Sequence, residues 1–464
     1  MMAMGIVAYA TYLPAHSLSR SSVSKALTGQ PGPPGGRSVA GFDEDAVTMA
    51  VGAVRALPER VESERHLYFA TSSPPFQDKT NASIVQAAAG GDDWLLTIDL
   101  AGLRSGFAAL TTAAATGGLA VMADQRSGRP GSNDELDGGD GAAAFVFGTE
   151  DELVAEVLGS SSISLELMDI WRVPGTAHAQ VWEERFSQHA LARAVVEVVA
   201  RLGKDTGVTE PPTMTLVATP SRRFAASTRA EVGFAGEDDV QGEHRAAVGY
   251  CGAAEVGILL ADALDVAHVG DTILVLTATG SVDAMLVRAA KDGPGAMTRE
   301  TTLAARRDVS YASYLTWRGL LDREPTRRPE RPGVSAPASY RNVEWKYGLE
   351  GSRCTTCGKV YLPPQRVCGS CGALDTTESY SVADRTATIV GFSTDAVSDS
   401  PAPPAVAAIV DFEGGGRLTV ELADTTSDEI GLGDEVEMTF RRTYVAMGVP
   451  NYFWKARPVK GTQR

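Results

Sequence analysis

Short apolar runs alternate with amphipathic stretches along the first 290 residues. Runs rich in β-branched residues at 5–12, 66–71, 95–100, 142–148, 213–219 and 272–276 predict strands buried on both faces. Between them, helical periodicity predicts helices over 44–56, 107–122, 190–202 and 255–266. Strands alternating with helices imply an α/β fold of sheet and helix layers. A weak internal echo joins GGDGAAAFVFG (138–148) and GDTILVLTATGSVDAMLV (270–287), each a glycine turn leading into an apolar segment. Two readings follow from this pattern: a duplicated fold, or the ordinary recurrence of small-residue strands.

The pattern changes after residue 290. Residues 291–340 are rich in Pro, Arg and Ser and read as a linker, with one helix around 311–321. Beyond it, short β-rich runs at 386–392, 405–412, 416–422 and 435–444 are separated by Gly, Pro and Asp. They predict a small closed β-barrel.

Four of the five cysteines lie between these regions, as Cys354-Thr-Thr-Cys357 and Cys368-Gly-Ser-Cys371. Two CxxC turns present four thiolates to one ion, the tetrahedral set that zinc favours. Gly358, Gly369 and Gly372 stand where such turns need a permissive backbone. Four protein ligands leave no open position, so the expected zinc is structural. The fifth cysteine, Cys251, reads as a small buried residue.

Charge narrows the function classes. The 464 residues carry 42 Lys+Arg against 58 Asp+Glu, a net charge of −16. That argues against a general nucleic-acid or anionic-membrane binder, and no apolar run reaches the ~18 residues of a spanning helix. The N-terminus lacks the basic segment of a secretory signal, so a cytoplasmic protein is expected.

The C-terminal module, over about 338–460, resembles the acyl-CoA-associated zinc-ribbon/OB-fold family. The resemblance rests on CTTCGKVYLPPQRVCGSC with its LPP-x-R core (Leu362 to Arg366), and on VAAIVDFEGGGRLT and IGLGDEVEMTF. Residues 4–290 resemble the thiolase superfamily, closest to hydroxymethylglutaryl-CoA synthases and ketoacyl-ACP synthase III. The matching segments are GIVAYATYLP, VAGFDEDAVTMAVGAVRAL, DLAGLRSGFAAL, GDGAAAFVFG, Trp171-Arg172 and TGSVDAML. Together these resemblances imply a duplicated five-layered thiolase-like fold, then a zinc ribbon and a small OB-type β-barrel. The implied domains are 1–290, in halves of about 1–160 and 161–290, then 341–380 for the ribbon with its preceding helix and 381–464 for the barrel.

The resemblance also locates four positions at which this chain departs from the synthases. Their acyl-accepting cysteine corresponds to Arg104, their histidine to Ala218, their acid/base glutamate to Ser72 and their oxyanion-hole asparagine to Tyr250. Arginine stays protonated and cannot accept an acyl group. Claisen condensation through an acyl-cysteine is therefore not expected. Arg222 and Arg223, in SRRF, correspond to a basic site in the synthases, where a guanidinium can hold a CoA phosphate. A solvated basic pair is the other reading.

The preferred reading is an accessory or scaffold subunit of acyl-CoA metabolism. It would partner a catalytically intact thiolase-fold enzyme, help bind a CoA thioester and form a homodimer or hetero-oligomer. The alternative is an acyl-CoA aldolase or acyltransferase using Tyr250 as general acid/base, provided its environment shifts the phenol toward neutrality. A nucleic-acid-binding ribbon and barrel ranks below both. His178, His189 and His244 read as surface or structural residues; His16, His66 and His268 carry no motif.

Overall fold

The computed structural model describes residues 4–58, 66–91, 93–149, 153–176, 178–182, 184–232, 240–295, 297–324, 327, 329 and 331–459. The chain forms two compact units. The first comprises residues 1–40, 45–86 and 92–314, and the second comprises 41–44, 87–91 and 315–464.

The first unit is built on a nine-stranded sheet. Its strands are β1 (Gly5–Tyr12), β2 (His66–Thr71), β3 (Leu96–Ala101), β4 (Gly118–Gln125), β5 (Asp140–Gly148), β6 (Ala155–Ile163), β7 (Met214–Ala218), β8 (Thr272–Ala278) and β9 (Val282–Ala289). They lie in the order β7-β8-β9-β6-β1-β5-β4-β2-β3. In the first half, β2 runs parallel to β3 and β4, while β4–β5 and β5–β1 are antiparallel. The second half repeats this order: β7–β8 parallel, then β8–β9 and β9–β6 antiparallel. The counterpart of β3 is the one strand lacking among the described residues. The halves meet through two residue pairs, Gly5 with Glu156 and Ile6 with Ala155. The weak sequence echo is thus a duplication.

The helices supply the remaining layers. They include α1 (Ala46–Arg55), α2 (Ser105–Thr116), α3 (Glu184–Thr206), α4 (Arg222–Glu231), α5 (Val240–Ala247) and α6 (Glu255–Val266). α1 covers the outer face of the first half and α3 that of the second, while α2 and α6 pack between the halves. The inner contact is close: a Cβ at Gly106 would lie 1.9 Å from the Ala253 carbonyl. Successive residues of β8 feed different cores, with Ile273 and Val275 in one and Leu274 and Leu276 in the other. This is a strand buried on both faces, as its continuous apolar run predicts.

One predicted element is corrected. The helix expected over 107–122 stops at Thr116, and 118–125 is strand β4. Gly117 and Gly118 take φ of 75° and 106°, which end the helix and turn the chain. Helix α1 starts at Ala46 because Asp45 caps it: its carboxylate accepts from the Thr48 N–H at 3.1 Å, and Thr48 Oγ1 accepts from the Asp45 N–H at 2.8 Å. Strand β6 was absent from the sequence expectations. The segment read as a linker carries helices Met297–Ala304, Tyr311–Trp317 and α7 (Ala336–Arg341). Among the described residues, no helix is long and apolar enough to cross a membrane.

The second unit continues with α8 (Val343–Gly348), then β10 (Glu350–Cys354), β11 (Val360–Tyr361) and β12 (Thr377–Ser381), in the order β11-β10-β12. A five-stranded sheet follows: β13 (Ala387–Asp395), β14 (Ala405–Phe412), β15 (Arg417–Glu421), β16 (Glu435–Ala446) and β17 (Val449–Pro458), ordered β15-β14-β13-β16-β17. A bridge between Leu422 and Ala456 joins its two edges, closing the expected barrel. Within this sheet, β17 is the one strand without a counterpart in the sequence pattern. It follows β16 through a tight turn in which Met447 and Gly448 both take positive φ.

Aromatic rings fill the barrel. Phe440 stacks on Tyr452 at 5.7 Å and meets Trp454 edge-on at 5.5 Å. Trp454 Nε1 donates to the Tyr347 carbonyl at 2.9 Å, satisfying its polar edge. Beside them lies a buried charge cluster. Arg441 pairs with Glu44 at 2.7 Å and Asp424 at 2.5 Å, and Lys455 pairs with Asp43 at 2.9 Å and Glu421 at 3.1 Å.

Candidate functional site

The first unit holds a cavity of about 510 Å³. Its floor is the end of β7 and the start of α4, where the Ser221 hydroxyl caps the helix by accepting from the Phe224 N–H at 3.3 Å. Thr219, Pro220, Arg222, Arg223, Phe224 and Tyr250 line it, with Gln188 and Leu191 from α3 opposite. The fold thus brings Arg222, Arg223 and Tyr250, the candidate residues of the sequence, to one cavity.

Tyr250 is pinned by its backbone. Its N–H donates to the Asp137 carbonyl at 2.7 Å, and its carbonyl accepts from the Gly139 N–H at 2.9 Å. Its buried ring lies between two guanidinium groups, Arg245 at 4.9 Å and Arg126 at 5.8 Å. Neither arginine carries a motif, so the sequence did not foretell them. Among the described residues, the Tyr250 hydroxyl has no hydrogen-bond partner. Burial raises its pKa, and the arginines only partly offset this. Tyr250 is therefore a neutral phenol that can donate a hydrogen bond or proton; the shift toward neutrality that a general base requires runs the other way.

The two arginines of SRRF differ. Arg222 is already engaged: it pairs with Asp137 at 2.9 Å and donates to the Arg245 carbonyl at 2.8 Å. Arg223 is exposed, and among the described residues nothing bonds to its guanidinium. The same holds for Arg129, also on the cavity wall.

The other substituted positions lie outside the cavity lining. Arg104 precedes α2 and makes a two-pronged ion pair with Asp283, Nε to Oδ2 at 2.9 Å and Nη2 to Oδ1 at 2.7 Å. Its third contact is Ser164 Oγ at 3.0 Å. Asp283 is buried and also accepts from Thr277 Oγ1 at 3.0 Å. Arg104 is thus held on Asp283 and is not among the residues that line the cavity. Ser72 is buried and donates through its hydroxyl to Asp124 at 2.6 Å, and Arg172 donates to its carbonyl. Ala218 ends β7, buried. No cysteine or histidine lines the cavity among the described residues.

Behind Tyr250 sits a closed ionic chain. His244 contacts Glu255 at 3.2 Å and Asp262 at 3.3 Å, and Arg245 pairs with Glu255 at 2.7 Å. Burial alone lowers the His244 pKa, but Glu255 and Asp262 more than offset it and leave it raised. The Cys251 N–H donates to Glu255 at 2.8 Å, and burial pushes its thiol pKa well up. Cys251 is thus a buried thiol held toward its protonated form, and His244 is a buried imidazole set between two carboxylates. His178 is half-buried and His189 exposed, while Glu183 of the adjacent WEERF stretch lies outside the described residues.

The four ribbon cysteines form the metal centre. In each CxxC turn the N–H of the following glycine closes the knuckle: Gly358 onto Cys354 and Gly372 onto Cys368, both at 2.8 Å. These glycines take φ of 72° and 75°; Gly369 does not take positive φ, so the backbone freedom expected of it is not used. Sγ of Cys354 and Cys371 are 3.7 Å apart, and those of Cys357 and Cys368 are 3.5 Å apart. Tetrahedral zinc with bonds of about 2.3 Å separates sulfurs by about 3.8 Å, so the thiols fit structural zinc.

Two family models match the second unit. Residues 346–377 match "ChsH2, rubredoxin-like zinc ribbon domain", and residues 380–441 match "ChsH2, C-terminal OB-fold domain". A DUF35 domain-containing scaffold protein of Methanothermobacter thermautotrophicus is 33% identical over 126 residues, 26% of this chain and 93% of the relative. The hydroxymethylglutaryl-CoA synthase of Methanosphaera stadtmanae is 27% identical over 345 residues, 68% of this chain and 99% of the relative. A crystal structure of HMG-CoA synthase complexed with CoA superposes with a TM-score of 0.62 at 17% identity, covering 72% of this chain and 94% of that one. The fold of the first unit is thiolase-like.

Proposed function

The chain belongs to the DUF35 domain family through its C-terminal module, and from that premise we propose that it is a non-condensing accessory subunit of acyl-CoA metabolism. It partners a catalytically intact thiolase-type enzyme and helps bind that enzyme's CoA-linked substrate. The observation that carries this reading is Arg104. The position that would need a thiol holds a guanidinium locked to Asp283, outside the cavity lining. A permanently protonated group tied by two charge-assisted bonds is no nucleophile. Similarity to a DUF35 scaffold protein and to a synthase crystallised with CoA supports the scaffold and ligand parts of the reading.

In this reading the cavity binds rather than reacts. Arg223 and Arg129, both on the cavity wall, offer guanidinium groups to an anionic end of the ligand. The Tyr250 phenol donates to a carbonyl inside. The ribbon's zinc holds its four-cysteine fold together and takes no part in chemistry.

The test is affinity purification from the native host at low salt, with mass spectrometry of what is retained. A thiolase-fold protein with an intact nucleophilic cysteine, at near-equal stoichiometry, is expected. A lone homodimer that turns over an acyl-CoA would overturn the reading. One observation favours a second reading, an acyl-CoA aldolase or acyltransferase. Among the described residues the Tyr250 hydroxyl has no hydrogen-bond partner, and Tyr250 lines the cavity, where its neutral phenol can serve as a general acid. That reading requires turnover by the purified chain, lost in Tyr250→Phe.

A further inference from the structure

The second unit contains its own cavity, of about 490 Å³, between α7, α8 and strands β16 and β17. Trp345, Tyr444 and Phe453 wall it, each partly exposed. Trp345 and Phe453 meet at 5.4 Å with planes tilted by 57°, presenting two ring surfaces at an angle. Lys346 reaches into the same space. Its ammonium donates to Asn451 Oδ1 at 2.8 Å and Ser339 Oγ at 3.3 Å, both neutral oxygens. Among the described residues no carboxylate pairs with Lys346, and no acidic residue lines the cavity. Arg331 lies 5.1 Å over the Tyr444 ring and likewise pairs with no carboxylate among the described residues.

These facts are unexpected in a chain of net charge −16. Burial lowers the Lys346 pKa, so its half-buried ammonium is held without the counter-charge it would profit from. A ligand that brings the anion removes that cost. The exposed rings ask for a flat partner, since aromatic faces stack on any base. Asn342, Asn451 and Ser339 supply amide and hydroxyl groups for a polar edge. The volume suits a small ligand rather than a polymer. One lysine and one arginine do not make the continuous basic track that a nucleic-acid strand needs.

We propose that this cavity binds an adenine-nucleotide moiety, its ring stacked on the Trp345–Phe453 walls and a phosphate paired with Lys346 and Arg331. That chemistry has two sources: a free nucleotide, or the nucleotide end of a CoA thioester. The site is separate from the first-unit cavity and does not rest on the function proposed for it.

Equilibrium dialysis of the full chain against ADP, CoA and pantetheine tests it. ADP is expected to bind at one site. Lys346→Met, which keeps the aliphatic stem, is expected to weaken ADP binding at least tenfold with the thermal midpoint unchanged or raised. Arg331→Ala is expected to weaken it severalfold. Arg223→Ala, in the first-unit cavity, is expected to leave ADP binding unchanged. CoA competing with ADP for the Lys346-dependent site would identify the thioester carrier as the source, and ADP binding with no such competition would identify a free nucleotide; both support the site. Pantetheine, which lacks the nucleotide, is expected not to compete. The proposal is overturned if ADP does not bind at millimolar concentration, if Lys346→Met binds it as well as the native chain, or if pantetheine competes equally. Loss of CoA binding in Arg223→Ala alone would bear on the function proposed above and not on this site.

Discussion

Arg104, Tyr250 and His244 show how neighbours decide a side chain's role. Removing the Arg104 guanidinium leaves Asp283 buried with one hydroxyl partner. Arg104→Ala is expected to destabilise the chain by about 2 kcal/mol, less than a fully buried pair because the guanidinium is partly exposed. Urea denaturation reads this. Arg104→Cys is expected to restore no condensation, because among the described residues no histidine lines the cavity to activate the thiol. His244 gives a pH signature. Its folded pKa is raised, so its stabilising contribution is full below the ordinary histidine pKa near 6.5 and is lost as pH rises through the folded value. The thermal-midpoint advantage of the native chain over His244→Asn should therefore be largest in mild acid and shrink toward alkaline pH. A flat difference across that range would remove His244⁺ from the account. These partners were not legible in the sequence: Asp283 lies 179 positions from Arg104. The zinc ligands were legible because each knuckle is four residues long.

At the scale of elements, the pattern located most strands, since each buried strand is a continuous apolar run. It failed where an alanine-rich stretch continued past a break. Gly117 and Gly118 end α2, yet the residues after them are as apolar as those before. The β16–β17 hairpin shows how charge enters a barrel wall. Arg441 and Lys455 are each only 1% exposed and are neutralised by Asp43, Glu44, Asp424 and Glu421. Arg441→Ala removes the buried guanidinium that pairs with Glu44 and Asp424. It is expected to cost roughly 3–5 kcal/mol, whereas Arg417→Ala, in an exposed pair with Asp411, should cost under about 1 kcal/mol. Equal costs in denaturant titrations would contradict the burial argument.

The whole molecule is a duplicated thiolase-like unit joined to a zinc-ribbon and barrel unit. The duplication was only an echo in the sequence because the halves share strand order rather than residues. The four substituted family positions were legible because each falls within its own short motif; the cavity was not, because its wall draws on residues from 129 to 279. Zinc analysis is expected to give one ion per chain. Chelation should abolish the folded signature of the ribbon, since metal binding and folding of such sites are coupled.

The central claim is that the cavity holds an acyl-CoA without taking the acyl group. Intact-mass spectrometry of the purified full chain, after incubation with acetyl-CoA and acetoacetyl-CoA, tests this most directly. The account predicts an unmodified chain and no condensation product, with CoA retained in native spectra and weakened roughly tenfold by Arg223→Ala. A covalent acyl adduct on any side chain, released as product on turnover, would contradict it.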